Sequence, residues 1–96
     1  MATVIYGAGH AGTQILNNLP NEVKAEVFFV DDDKKKHKSK ILDRKIFSYD
    51  YLEECIENES IKNLIFAIPS QEEILYPKLK KLVFGKPINL YKLPKE

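Results

Sequence analysis

The sequence predicts an α/β fold built on a parallel, doubly wound sheet. Three observations point there. Short apolar runs alternate with segments of helical period along all 96 residues. The clearest run, Asn63 to Ile68, is nearly all apolar, as a strand covered on both faces must be. Each apolar run is separated from the next by a segment long enough to cross back over the sheet, and such a crossover makes the joined strands parallel.

Thr3-Val4-Ile5-Tyr6 reads as a first buried strand, ending at a glycine turn. Ala11, Ile15, Leu16 and Leu19 then recur on one helical face, and Pro20-Asn21 stops that helix. Ala25 to Val30 reads as a second strand, closed by Asp31-Asp32-Asp33, and a charged loop leads to a short third strand at Lys45-Ile46-Phe47. Ser48 is placed as an N-cap with Asp50 in the first turn, and Leu52, Cys55 and Ile56 form the buried face of the helix. The fourth strand is Asn63 to Ile68. Ser70-Gln71-Glu72-Glu73 reads as a capping box opening a helix with Leu75, Leu79, Leu82 and Val83 on one face. Gly85 is placed as its C-cap, and Pro87 to Tyr91 as the last strand. The expected architecture is five strands in the order 3-2-1-4-5, with helices on both faces and a ligand crevice beyond the carboxyl ends of strands one and four.

The chain has the size of a single domain, residues 1–96, either a fragment or an accessory module of a larger protein. Its net charge is +1, which offers no general attraction for nucleic acid or an anionic membrane. Charge is uneven, however. From Asp31 to Lys45 there are seven bases (Lys34, Lys35, Lys36, Lys38, Lys40, Arg44, Lys45) against four acids. The single cysteine excludes an internal disulfide and any multi-cysteine metal site. With no signal peptide and no membrane-length apolar run, a cytoplasmic location is expected.

The stretch VIYGAGHAGTQIL carries the site expectation. Gly7, Gly9 and Gly12 follow a strand and open a helix, the context in which a GxGxxG pattern becomes informative. Gly7 permits the tight turn, Gly9 lets a phosphate approach the backbone, and Gly12 lets helix and strand pack closely. Ala8, His10 and Ala11 complete the loop, and the free amides at the helix start attract a pyrophosphate. Asp31 ends strand two 19 residues past Gly12, where a carboxylate accepts from ribose hydroxyls and repels a 2′-phosphate. That favours NAD over NADP, although Lys34 to Lys36 could blunt the repulsion. Asp32 is placed near the ligand or in a solvated turn, and Pro69 and Ser70 at the mouth of the crevice.

The runs IYGAGHAG, FFVDDDKKK, LIFAIPS and INLYKLP together resemble the Rossmann-like module of the bacterial polysaccharide-biosynthesis nucleotide-sugar dehydratase and epimerase family. The resemblance spans Val4 to Pro94 and implies binding of NAD or a UDP-sugar, in a protein acting on UDP-linked N-acetyl sugars for capsule or O-antigen assembly. Family members add membrane helices upstream and a short-chain-dehydrogenase-type catalytic domain downstream. By resemblance, then, catalysis belongs to another domain or a partner chain, acting at the inner face of the membrane. Homo-oligomerisation stays open. Two other readings stand beside it: the UDP-sugar-binding amino-terminal domain of a sugar acyltransferase, and a non-enzymatic module sensing NAD or CoA.

No catalytic group is expected on this chain. Tyr76 with Lys80 and Tyr91 with Lys95 have Tyr-x-x-x-Lys spacing, but one tyrosine sits mid-helix beside Pro77 and the other in the last strand. Cys55 falls on a buried helix face, the setting of an inert thiol.

Overall fold

A computed structural model describes residues 1–93. The strands are β1 (Ala2–Tyr6), β2 (Val27–Val30), β3 (Lys40–Ile41), β4 (Arg44–Phe47), β5 (Ile61–Phe66) and β6 (Asn89–Lys92), and the helices are α1 (His10–Asn18), α2 (Asn21–Lys24), α3 (Tyr49–Glu57) and α4 (Glu72–Val83). They form one six-stranded sheet in the order β3-β4-β2-β1-β5-β6. Every pairing is parallel except β3 with β4.

The five-strand expectation is corrected on strand number, and therefore on order. Lys40–Ile41 adds an antiparallel edge strand, turned back onto β4 through Leu42 and Asp43. Around β1 the chain winds both ways: β2 lies on one side and β5 on the other. The order of the sheet reverses there, so the carboxyl ends of β1 and β5 bound a crevice.

Alternation along the strands sends side chains to two separate cores. Val4, Tyr6, Leu64 and Phe66 pack beneath α3 and α4 with Leu52, Cys55, Ile56, Leu79 and Val83. Ile5, Val27, Phe29 and Ile46 face α1 and α2, meeting Leu16 with Ile15, Leu19 and Val23. Helices thus cover both faces. Burying a single Leu or Phe side chain contributes roughly 1.5–3 kcal/mol, and β1 and β2 carry no polar group on their side chains except the hydroxyls of Thr3 and Tyr6.

Local departures from the expected elements have simple causes. Pro20, fixed at φ −58°, opens the extra turn of α2. Pro69 starts a 3₁₀ turn over Pro69–Gln71, which delays α4 to Glu72, so Ser70 is not its cap and the expected capping box is not formed. Ser48 does cap α3, its hydroxyl accepting from the Tyr51 amide at 3.4 Å. The C-cap of α4 is Phe84 rather than the expected Gly85, which follows it at φ +76°.

Candidate functional site

The crevice at the switch point is lined by Gly7, Gly9, His10 and Ala11 on one side and Ala67 to Gln71 on the other, with Asp31 and Lys36 at its end, and holds about 350 Å³. Its floor is the glycine loop. Gly7 sits at φ +123°, a region L side chains rarely adopt, and the turn it makes lets α1 start directly after β1. At Gly12 a Cβ would strike the Gly7 carbonyl and crowd the buried Phe29 ring, so the helix lies on the strand only because this residue has no side chain. Gly9 differs. Among the described residues a Cβ there would meet no atom within 4 Å and would point into open space. Packing does not require glycine at that position, whereas close approach of a ligand to the backbone would.

Gly9 is the N-cap of α1, and no side chain caps the helix. The amides of its first turn therefore face the crevice with the positive end of the helix dipole. The Ala8 amide is already engaged: it donates to Asp31 Oδ2 at 2.8 Å. The other oxygen of Asp31 accepts from the Asp33 amide at 2.9 Å. Lys36 Nζ donates to the Ala8 carbonyl at 3.2 Å and lies 3.6 Å from Asp31 Oδ2. Asp31 thus latches the glycine loop to the end of β2, and only 13% of its side chain remains exposed. Each carboxylate oxygen keeps one lone pair beyond those amide bonds, enough to accept a ligand hydroxyl. His37 donates from Nε2 to the Asp31 carbonyl at 2.7 Å, an acceptor-only partner that places the proton on Nε2.

Asp32 is not in the crevice. It points to the opposite face of the sheet, where both its oxygens accept from the Tyr6 hydroxyl, at 2.9 and 2.8 Å. Burial, reinforced by that bond and by the Asp32 charge, pushes the Tyr6 phenol well above the usual tyrosine range. Tyr49, which meets Tyr6 edge-on, is raised too, chiefly by burial. His10 is exposed, its Nε2 3.4 Å from the Gln14 amide nitrogen. Pro69 and Ser70 line the mouth where the sequence placed them. The sequence reading put Gln71 in a capping box and not in the crevice, and it brought in Lys36 only as one of three lysines that could blunt the repulsion at Asp31.

The Tyr76 ring packs edge-on against Phe66, and Lys80 Nζ lies 6.0 Å from the ring centroid. Lys95, the partner expected for Tyr91, and Pro94, the end of the family-like run, lie outside the described residues. Cys55 is buried in the α3 core. Among the described residues no helix is long and apolar enough to cross a membrane.

No family model matches the chain. The capsular polysaccharide biosynthesis protein CapD of Staphylococcus aureus is 30% identical over 98 residues, covering 97% of this chain and 16% of that protein. UDP-D-quinovosamine 4-dehydrogenase from Vibrio fischeri is 29% identical and superposes with a TM-score of 0.69 over 98% of this chain and 78% of the solved one. RSP, a Rex-family repressor, solved with β-NADH, superposes at 0.73 with 21% identity over 97% of this chain and 53% of its own, a likeness of fold. A further structure of that repressor holds β-NAD⁺ and operator DNA.

Proposed function

We propose, for a chain that is a Rossmann-like module related to the nucleotide-sugar dehydratase and epimerase family of bacterial polysaccharide biosynthesis, that the glycine crevice receives the pyrophosphate of an NAD-type dinucleotide. One observation carries this: the uncapped start of α1 lies beside a Gly9 whose missing side chain leaves open space that no atom of the described residues fills. Asp31, held at the end of β2, then accepts from the adenosine ribose, and Pro69 and Ser70 close the far wall. RSP, which shares this fold, was solved with β-NADH, and that likeness of fold is consistent with a dinucleotide ligand.

The chain spans only 16% of the curated relative, and on this reading catalysis belongs to the rest of such a protein, acting on UDP-linked sugars in the cytoplasm. A net charge of +1 suits a small nucleotide better than a duplex. A thermal-shift panel with NAD, UDP-N-acetylglucosamine and 5′-AMP tests the assignment. At about 100 times its dissociation constant a ligand stabilises by roughly 2.7 kcal/mol, or several degrees for a domain of this size. The expected result is a shift with NAD that Gly9→Ala abolishes. A shift with the UDP-sugar alone replaces the dinucleotide with that ligand. No shift with any of the three rejects a nucleotide site.

A further inference from the structure

Across the β3–β4 ladder Lys40 stands directly opposite Lys45. Like charges so placed destabilise a strand pair. Among the described residues neither ammonium has an acidic partner within 4.0 Å. The turn that joins the two strands is also costly, because Leu42 and Asp43 sit at φ 48° and 65°, the left-handed region that such a hairpin ordinarily fills with Asn-Gly. Both lysines line a cavity of about 450 Å³ together with His37, Lys38 and Ser48. A self-repelling pair aimed into a basic cavity is stabilised by an anion placed between its members.

That cavity adjoins the end of the crevice through shared backbone. The Asp31 amide donates to the Phe47 carbonyl at 3.0 Å, and Phe47 lines the cavity. His37, also in the lining, donates to the Asp31 carbonyl. Lys36, the residue before it, neutralises the Asp31 carboxylate from 3.6 Å. The charge that would repel a phosphorylated ribose is therefore countered, and basic groups lie next to it.

We propose that Lys40 and Lys45, with Lys38, form an anion subsite that receives a phosphate monoester on the adenosine ribose. The chain then takes a 2′-phosphorylated dinucleotide of the NADP class in preference to NAD, reversing the selectivity expected from Asp31 alone. This rests on the nucleotide assignment above. Titration calorimetry with 5′-AMP, 2′,5′-ADP, NAD and NADP separates the two. The expected result is 2′,5′-ADP binding at least about fivefold tighter than 5′-AMP at low salt, the worth of one close charge contact in a water-like medium, with NADP ahead of NAD and the advantage shrinking as salt rises. Lys40→Ser with Lys45→Ser brings the 2′,5′-ADP to 5′-AMP ratio towards one. Lys40→Glu turns a repelling pair into an attracting one, so it raises Tm while erasing the advantage, which distinguishes a lost subsite from a lost fold. Equal affinities for 2′,5′-ADP and 5′-AMP, with NAD still bound, overturn the subsite and leave the nucleotide assignment standing. An advantage that survives the double variant overturns the roles of the lysines. Failure of all four ligands overturns both proposals.

Discussion

Replacing Gly12 by alanine tests the contact on which the whole crevice rests. The added Cβ would run into the Gly7 carbonyl and come within 3.2 Å of Phe29 Cε1. Neither neighbour yields easily. The carbonyl belongs to a turn fixed at φ +123°, and Phe29 is fully buried. Overpacking of this kind costs about 1–3 kcal/mol, towards the upper end when the obstacle is backbone. Alanine's better helix propensity returns about 1 kcal/mol. The net loss is then about 2 kcal/mol, a large share of the roughly 5–15 kcal/mol that holds a small domain together. For a chain of 96 residues that corresponds to a fall in Tm of about 8–16 °C. Gly9→Ala is the matched control. Its φ of −117° suits any residue and the new Cβ meets nothing, so its stability cost is only the weaker N-cap, under about 1 kcal/mol. Thermal and urea unfolding of both variants decide the matter. A Gly12→Ala variant that melts with the wild type, or a Gly9→Ala variant that falls as far, would refute the division into a packing glycine and a ligand glycine.

Three further variants probe the surroundings. Asp31→Ala strips the acceptor from the Ala8 and Asp33 amides and should cost about 2–3 kcal/mol while speeding hydrogen exchange at Ala8; unchanged protection there would contradict the latch. Because the Tyr6 phenol is raised in the folded state, its stabilising effect is complete below the ordinary tyrosine value of 10.0. It is lost above that value at about 1.4 kcal/mol per pH unit, as the unfolded chain ionises first. Tyr6→Phe should therefore show a shallower alkaline decline than wild type by roughly one proton, and equal slopes in denaturation curves above pH 10.0 would rule out the buried phenol. Leu42→Asn with Asp43→Gly relieves the left-handed turn and, since Leu42 is 57% exposed, gives up little burial. A Tm several degrees higher is expected, about 1 kcal/mol; a lower one would show that the turn is not strained.

The sequence revealed most where burial dictates it. β1, β2 and the Leu64–Phe66 half of β5 are covered on both faces, so each reads as a largely apolar run with its end marked by glycine, aspartate or proline, although Lys62 and Asn63 interrupt the start of β5. It was silent where structure depends on backbone pairing alone. β3 is a two-residue edge of lysine and isoleucine, with no alternation to detect, and its turn lacks the glycine or asparagine that would have announced a hairpin. Ser70 looked like a cap because Glu73 follows at the right spacing, but Pro69 favours a tighter turn and moves the helix start to Glu72. For the site, the glycine spacing and the position of Asp31 were legible. That Asp31 spends part of its capacity on the Ala8 amide was not, because the bond joins residues 23 apart through a tertiary contact.

The three consecutive aspartates show how a charged run acquires separate roles from strand geometry. Successive residues of β2 face opposite sides of the sheet, Phe29 towards α1 and Val30 towards α3 and α4, and the alternation continues past the end of the strand. Asp31 therefore turns to the glycine loop and Asp32 to Tyr6, while Asp33, beyond the last pairing, accepts from the Lys35 amide at 3.0 Å and caps the 3₁₀ turn over Lys34–Lys38. Each carboxylate is fixed by a protein donor. That turn carries Lys36, His37 and Lys38 to the crevice and its neighbouring cavity. The acids thus shape the backbone and the bases line the two hollows, so ligand charge is felt first by the lysines. A phosphate contact dominated by lysine weakens steeply with salt, whereas a ribose hydroxyl contact at Asp31 does not. Salt dependence of binding therefore distinguishes which of these residues the ligand touches.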